Sequence, residues 1–334
     1  MTNYNAAVTP FSELSPDLIL DAVESLEIQT DGRLLALNSY ENRVYQIGVE
    51  DGPPLVGKFY RPFRWSWDAI QEEHEFVLSL ADAEIPVVPP LVYGGNTIHQ
   101  YQGFTFALFK KQGGRAPEIE QPGTLEWIGR FLGRIHAQGA VESYQYRPTI
   151  NLNDYGRMPS EYLLEHFIPE DIKPAYIAVV KMLFDGVEQC FERAGKVDYI
   201  RLHGDCHVGN LLWTDDGPHF VDFDDSLMGP AVQDFWMLLS GQGQELQIQI
   251  DQLLRGYECF YEFDPNQLHL IEALRSLRLI YYAYWIAKRW DDPAFPRVFT
   301  WFNTQQYWQN MILELREQVA NMNEPLQWKG NGNC

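Results

Sequence analysis

Over its first third the chain alternates short apolar runs with turn residues. Residues 34–38 form a continuous apolar run, 44–48 and 55–60 follow, and in 103–109 large aromatics alternate with their neighbours as in a half-buried strand. Asn38-Ser39 and Asp51-Gly52-Pro53-Pro54 supply the turns between them. The period changes within 69–80, where Ile70, Phe76, Val77 and Leu80 give one apolar face of a helix. Beyond residue 113 the helical period dominates. Leu125, Ile128, Leu132 and Ile135 make an amphipathic stripe, and 173–193, 232–239, 244–260, 267–290 and 301–321 read as further helices. Runs at 211–213 and 219–223, separated by Asp215-Asp216-Gly217, predict a hairpin inside this helical part. Gly113-Gly114 permits a sharp turn after the last strand. The pattern therefore predicts an α+β, bilobal plan: a β-rich lobe over 1–112 and a larger helical lobe over 113–334, together one domain.

Composition narrows the function classes. Of 334 residues, 46% are hydrophobic, enough for a packed core. Lys+Arg total 25 against 46 Asp+Glu, a net charge of −21, so a nucleic-acid partner is not expected and an anionic membrane surface would repel the chain. A cationic substrate would be attracted. No apolar run is long enough to span a bilayer, and the first twenty residues lack the basic and apolar regions of a secretion signal. Cys190, Cys206, Cys259 and Cys334 are scattered rather than paired, which fits a cytoplasmic protein with reduced thiols, and a monomer is expected.

Chemistry concentrates in 202–225, LHGDCHVGNLLWTDDGPHFVDFDD. Asp205 precedes Asn210 by five positions, and the predicted hairpin returns the chain to Asp222. A carboxylate, an amide and a second carboxylate around one space suit Mg²⁺, leaving one carboxylate to accept a proton from an attacking hydroxyl. Phosphoryl transfer needs those parts and positioning. HGDxxxxN followed by V-D-F-D resembles the aminoglycoside phosphotransferase and choline kinase branch of the protein-kinase-like enzymes. A lysine on a strand is the expected partner of such a loop. Lys58 in LVGKFY fits; its other reading is an edge-strand surface charge. The following helix offers Glu73 to hold that lysine, with Glu72 as runner-up. No G-x-G-x-x-G precedes Lys58; the turn is NSYENR, where Ser39 and backbone amides either contact phosphate or form a plain polar turn.

Several other residues carry two readings. His203, Cys206 and His207 suggest zinc only weakly, because no second Cys/His pair lies nearby. His203 more naturally braces the loop, and Asp234 either starts a helix or ties the loop down. Asp224 and Asp225 are a second metal or cation site or a solvated turn. Trp285, Trp290, Trp301, Phe302 and Trp308 line a pocket or pack the core.

Over nearly the whole chain, from about residue 17 to 328, NSYENRVYQ, KFYRP, EEHEF, RLHGDCHVGN, FVDFDD and GPAVQDFWMLL resemble the bacterial stress response kinase A group, cytosolic Ser/Thr protein kinases of aminoglycoside-phosphotransferase-like fold. That resemblance implies Asp205 as proton acceptor, Asp222 as a further active-site residue, Asn210 and Asp222 as Mg²⁺ ligands, and Ser39 at the phosphates of ATP. It also implies transfer to protein hydroxyls in a stress response. A small-molecule kinase for homoserine, choline or an aminoglycoside-like acceptor shares the motif, and a nucleotide-binding module without transfer is the rival from another class.

Overall fold

The computed structural model describes residues 10–241 and 243–324. Five antiparallel strands, β1 (Thr30–Leu37), β2 (Arg43–Val49), β3 (Leu55–Phe59), β4 (His99–Tyr101) and β5 (Phe104–Lys110), form a sheet of order β1-β2-β3-β5-β4. The strand alternation sorts its two faces. Leu55, Phe59, Ile47, Phe104, Phe106 and Leu108 pack with helix α1 (Pro16–Glu24), whose N-terminus is capped by the Ser15 hydroxyl. Val56 and Lys58 point the other way, towards the second lobe. Lys58 stands opposite Val44 of β2 and Ala107 of β5, so it lies mid-sheet and not on an edge.

Helix α2 (Trp67–Asp82) starts at Ser66, whose hydroxyl accepts the Ala69 N–H at 3.1 Å. Its buried stripe includes Ile70, Glu73, Phe76, Val77 and Leu80, which puts a carboxylate among apolar neighbours. The helical lobe contains α3 (Thr124–Gly139), α4 (Met158–His166) and α5 (Lys173–Ala194). The short pairs β6 (Ile200–Leu202) with β9 (Leu227–Gly229) and β7 (Leu211–Thr214) with β8 (Gly217–Phe220) follow. Then come α6 (Gln233–Trp236), α7 (Gly243–Tyr257), α8 (Ile271–Ala287), α9 (Ala294–Val298) and α10 (Gln305–Asn323). Helices α3 and α7 touch through small residues: a Cβ on Gly133 would stand 2.4 Å from the Tyr257 carbonyl.

The differences from the sequence pattern are local. Residues 232–239 hold only the one-turn α6, and the helix expected from 267 starts at Ile271 because Asp264-Pro265 opens a tighter 3₁₀ turn, Pro265–Leu270. The second hairpin strand stops at Phe220, since Asp222 adopts a left-handed conformation (φ 60°, ψ 69°). Helices α1 and α4 and strand β4 were not expected. Among the described residues no helix is long and apolar enough to cross a membrane.

Candidate active site

The loop after β6 is held in place from below. The buried Asp234 accepts the backbone N–H groups of His203 and Gly204, each at 2.8 Å, and lies 3.1 Å from His136 Nε2. Gln233 donates to the Gly204 carbonyl at 3.2 Å. Gly204 takes φ +85°, and a Cβ there would sit 2.1 Å from the Asp225 carbonyl, so this turn tolerates no side chain. His203, fully buried, donates from Nε2 to the Val221 carbonyl at 2.9 Å and packs its ring 4.4 Å from that of Phe223. It thereby joins the loop to the segment after the hairpin. Cys206 is buried, its thiol pushed up by burial, and among the described residues no cluster of three or more His, Cys, Asp or Glu side chains is arranged for a metal ion.

Above this base, Asp205 Oδ1 receives Arg278 Nη2 of α8 at 2.7 Å, while Oδ2 faces His207 Nε2 at 3.5 Å. Burial opposes its charge, but the bond from His207 and the nearby Arg278 outweigh it and hold the carboxyl below the usual carboxylate range. Asn210 donates Nδ2 to the Asp205 carbonyl at 3.0 Å, so its Oδ1 stays free of protein hydrogen bonds among the described residues. Asp222, projected by its left-handed backbone, takes Lys58 Nζ at 2.9 Å on one oxygen and makes no other hydrogen bond among the described residues. Two hard oxygens, Asn210 Oδ1 and the second oxygen of Asp222, therefore remain available, a donor set that fits a divalent cation sharing its other positions with phosphate and water.

Lys58 also lies 3.1 Å from the buried Asp224. Burial disfavours its charge, yet Asp222, Asp224 and Glu73 raise the ammonium well above the usual lysine range. Glu73 lies near but not in contact: its partner is Arg147, 3.5 Å from Oε2, and burial pushes its carboxyl up to about 7. Glu72 does something different, accepting the backbone N–H groups of Gln145, Tyr146 and Arg147 at 2.6 to 3.1 Å. Asp224 also accepts from Asn42 at 3.0 Å and pairs with Arg64, which bridges to Asp225. Asp224 is thus a buried hub, not a solvated turn.

Two cavities flank this centre. One of about 280 Å³ is lined by Ser39, Val56, Lys58, Glu73, Val77, Asp222 and other, mostly apolar, groups of both lobes. The other, of about 290 Å³, opens beside Asp205 and His207 under Arg278, with aromatic walls from Tyr281, Tyr282, Trp285 and Phe299. Lys58, Glu73, Asp222 and Ser39 therefore meet at the first cavity, and Asp205 faces the second. Of the aromatic cluster, Trp285 lines a cavity while Phe302 and Trp308 are core. Sequence reasoning missed Arg147, Arg64 and His136; Arg278-Leu279-Ile280-Tyr281-Tyr282 shares in the resemblance, but no role for Arg278 could be read from it. Arg64 stands two residues beyond the singled-out KFYRP, but nothing local says which arginine meets a carboxylate 160 residues away.

The sheet, the helical lobe and the cleft between them define a kinase-like phosphotransferase fold, and the chain belongs to the phosphotransferase enzyme family, whose model matches residues 33–271. It is 44% identical over 322 residues to stress response kinase A of Escherichia coli (strain K12), covering 96% of this chain and 97% of that protein. It is 43% identical over 318 residues to serine/threonine protein kinase RdoA of Salmonella typhimurium (strain LT2), covering 94% and 95%. Among solved structures, amicoumacin kinase hAmiN in complex with AMP-PNP, Ca²⁺ and Ami superposes with a TM-score of 0.71 at 20% identity, covering 94% of this chain and 96% of that one. A microcompartment-associated aminopropanol kinase gives 0.67 at 15% identity over 92% and 97%. At such identities these structures speak for the fold alone.

Proposed function

We propose that this phosphotransferase is an ATP- and Mg²⁺-dependent Ser/Thr protein kinase acting in a bacterial stress response, with residues 1–112 as the nucleotide-binding lobe and 113–334 as the helical lobe that carries the catalytic loop and the metal site. The observation that carries the nucleotide reading is the contact of Lys58 with Asp222, 164 residues apart, on the floor of a largely apolar cavity. Such a cavity suits a purine, and its one cationic corner suits phosphates. The name of the Salmonella typhimurium relative, serine/threonine protein kinase, supports the protein acceptor, and that of the Escherichia coli relative supports the stress response.

In this mechanism Lys58 orients the α- and β-phosphates, Ser39 meets them from the β1–β2 turn, and Glu73 supports Lys58 from behind through the local field. Asn210 and Asp222 would hold Mg²⁺, which when bound would neutralise charge building on the phosphate oxygens. Asp205 orients the acceptor hydroxyl towards the γ-phosphorus. The hydroxyl oxygen forms its bond to phosphorus as the bridging bond to ADP breaks, and the proton passes to Asp205. A carboxylate held at low pKa is a weak base, which suits a loose transition state in which the proton leaves late. Closure of the lobes excludes water from the γ-phosphate.

A second reading, a small-molecule acceptor, is favoured by the aromatic-walled cavity beside Asp205. The test is transfer of labelled γ-phosphate with Mg²⁺ to a generic protein and, separately, to a panel of amino alcohols, with Asp205→Ala alongside. Label on protein that vanishes in the variant is the expected result. Label only on a small molecule overturns the acceptor, and no transfer to either overturns the kinase reading.

A further inference from the structure

The NSYEN turn carries more buried charge than phosphate contact requires. Ser39 borders the nucleotide cavity, but Glu41 and Asn42 are only 9% and 3% exposed and reach across to the other lobe. Glu41 Oε2 accepts from the indole Nε1 of Trp285 and lies 2.7 Å from Arg289 Nη2; its Oε1 lies 2.9 Å from Arg61 Nε. Arg61, just beyond β3, also donates to the Glu41 carbonyl at 3.0 Å and to Asp292 at 2.9 Å. Asn42 accepts the Arg61 N–H at 3.0 Å while donating to Asp224. The turn is therefore tied to β3 on one side and to α8 and its following turn on the other.

Helix α8 has a second task on the same face. Arg278 and Trp285 are seven residues apart, two helical turns, so they share one side of the helix about 10 Å apart along its axis. At one end that side holds Asp205 through Arg278; at the other it holds the phosphate turn through Glu41. Between them Tyr281 and Tyr282 line the acceptor cavity. One rigid helix thus touches the proton acceptor, the acceptor cavity and the turn over the nucleotide.

We propose that Glu41 is a positioning residue whose contact with Trp285 and Arg289 couples the nucleotide site to the acceptor site, so that the place of the β1–β2 turn over the phosphates depends on α8. This rests on the nucleotide reading of the first cavity. A change at Trp285, which lines the acceptor cavity and not the nucleotide cavity, then reaches nucleotide through the Glu41 contact.

The test is calorimetric titration of AMP-PNP with Mg²⁺ into the native chain, Trp285→Phe, Glu41→Gln and the double variant, each well below its melting temperature. Trp285→Phe removes the indole donor together with part of the ring that packs on Tyr282, Phe295 and Phe299, and is expected to weaken nucleotide binding roughly five-fold or more. The double variant is expected to be no worse than Glu41→Gln alone, since both changes break one contact. Unchanged nucleotide affinity in folded Trp285→Phe, or effects that simply add, overturns the proposal. Should Trp285→Phe fail to fold, Arg289→Lys replaces it in the same cycle with the same outcomes. A native chain that binds no AMP-PNP overturns instead the nucleotide reading itself.

Discussion

At the scale of single residues, the carboxylates around Lys58 divide their work in an unexpected way. Asp222 and Asp224 contact the ammonium, whereas Glu73 pairs with Arg147 and is pushed by burial up to about 7, so that it titrates around neutrality. Its value in the folded chain, about 7, lies above the ordinary 4.5, so between those values the folded protein keeps a proton that the unfolded chain has released. Stability therefore falls as pH rises through that window, by at most roughly 3 kcal/mol. Glu73→Gln removes the titration: urea unfolding at several pH values should show the variant gaining on the native chain from pH 5 to 8. Parallel curves would count against this account. Asp224→Asn should behave oppositely, because it takes from Lys58 and Arg64 the buried carboxylate that both contact. A loss of about 3–5 kcal/mol is expected in the same experiment, with transfer activity falling as well.

At the scale of elements, the loop from β6 to Asn210 depends on a backbone that only glycine supplies. Gly204→Ala meets both the left-handed φ and the Asp225 carbonyl, so at least about 2 kcal/mol of stability and most of the activity should be lost. Thermal melting and phosphate transfer measured on one preparation check this, and a native-like variant would show that the loop is held otherwise. Helix α2 makes a similar point. Glu72 satisfies three backbone N–H groups of the segment before Pro148, so Glu72→Ala should destabilise the chain by about 1–3 kcal/mol and leave the nucleotide cavity's lining intact. Elements with a strong period were legible in the sequence: strands β1, β2, β3 and β5 of the sheet, α2, α3, α5 and the β7–β8 hairpin. What was not legible has physical causes. Helix α1 is short and finds its apolar partners only under the sheet, and α6 stops after one turn although its sequence continues apolar. The motif residues Asp205, Asn210 and Asp222 could be singled out because their spacing is local. Arg147 could not, and the role of Arg278 could not be read, because their carboxylates are brought to them only by the fold.

At the scale of the whole molecule, the near and far fields point in different directions. Inside the acceptor cavity the charged walls are matched to one another: Asp205 with Arg278, Asp225 with Arg64, Glu41 with Arg289. Among the described residues, then, each of these carboxylates already has an arginine partner, and the aromatic walls select an acceptor by shape. Far from the cavity the net charge of −21 sets a negative potential that draws a basic protein in and holds an acidic one off. That field is screened within about 10 Å at 0.1 M salt. For a basic protein acceptor, KM should therefore rise about ten-fold between 0.05 and 0.5 M salt while kcat changes little, because salt acts on encounter and not on the paired groups around Asp205. An uncharged amino-alcohol analogue should show no such rise. Steady-state kinetics of the two acceptors over a salt series make the comparison. A KM for the basic protein that ignores salt would mean that the cavity itself, and not the molecule's overall charge, recruits the acceptor.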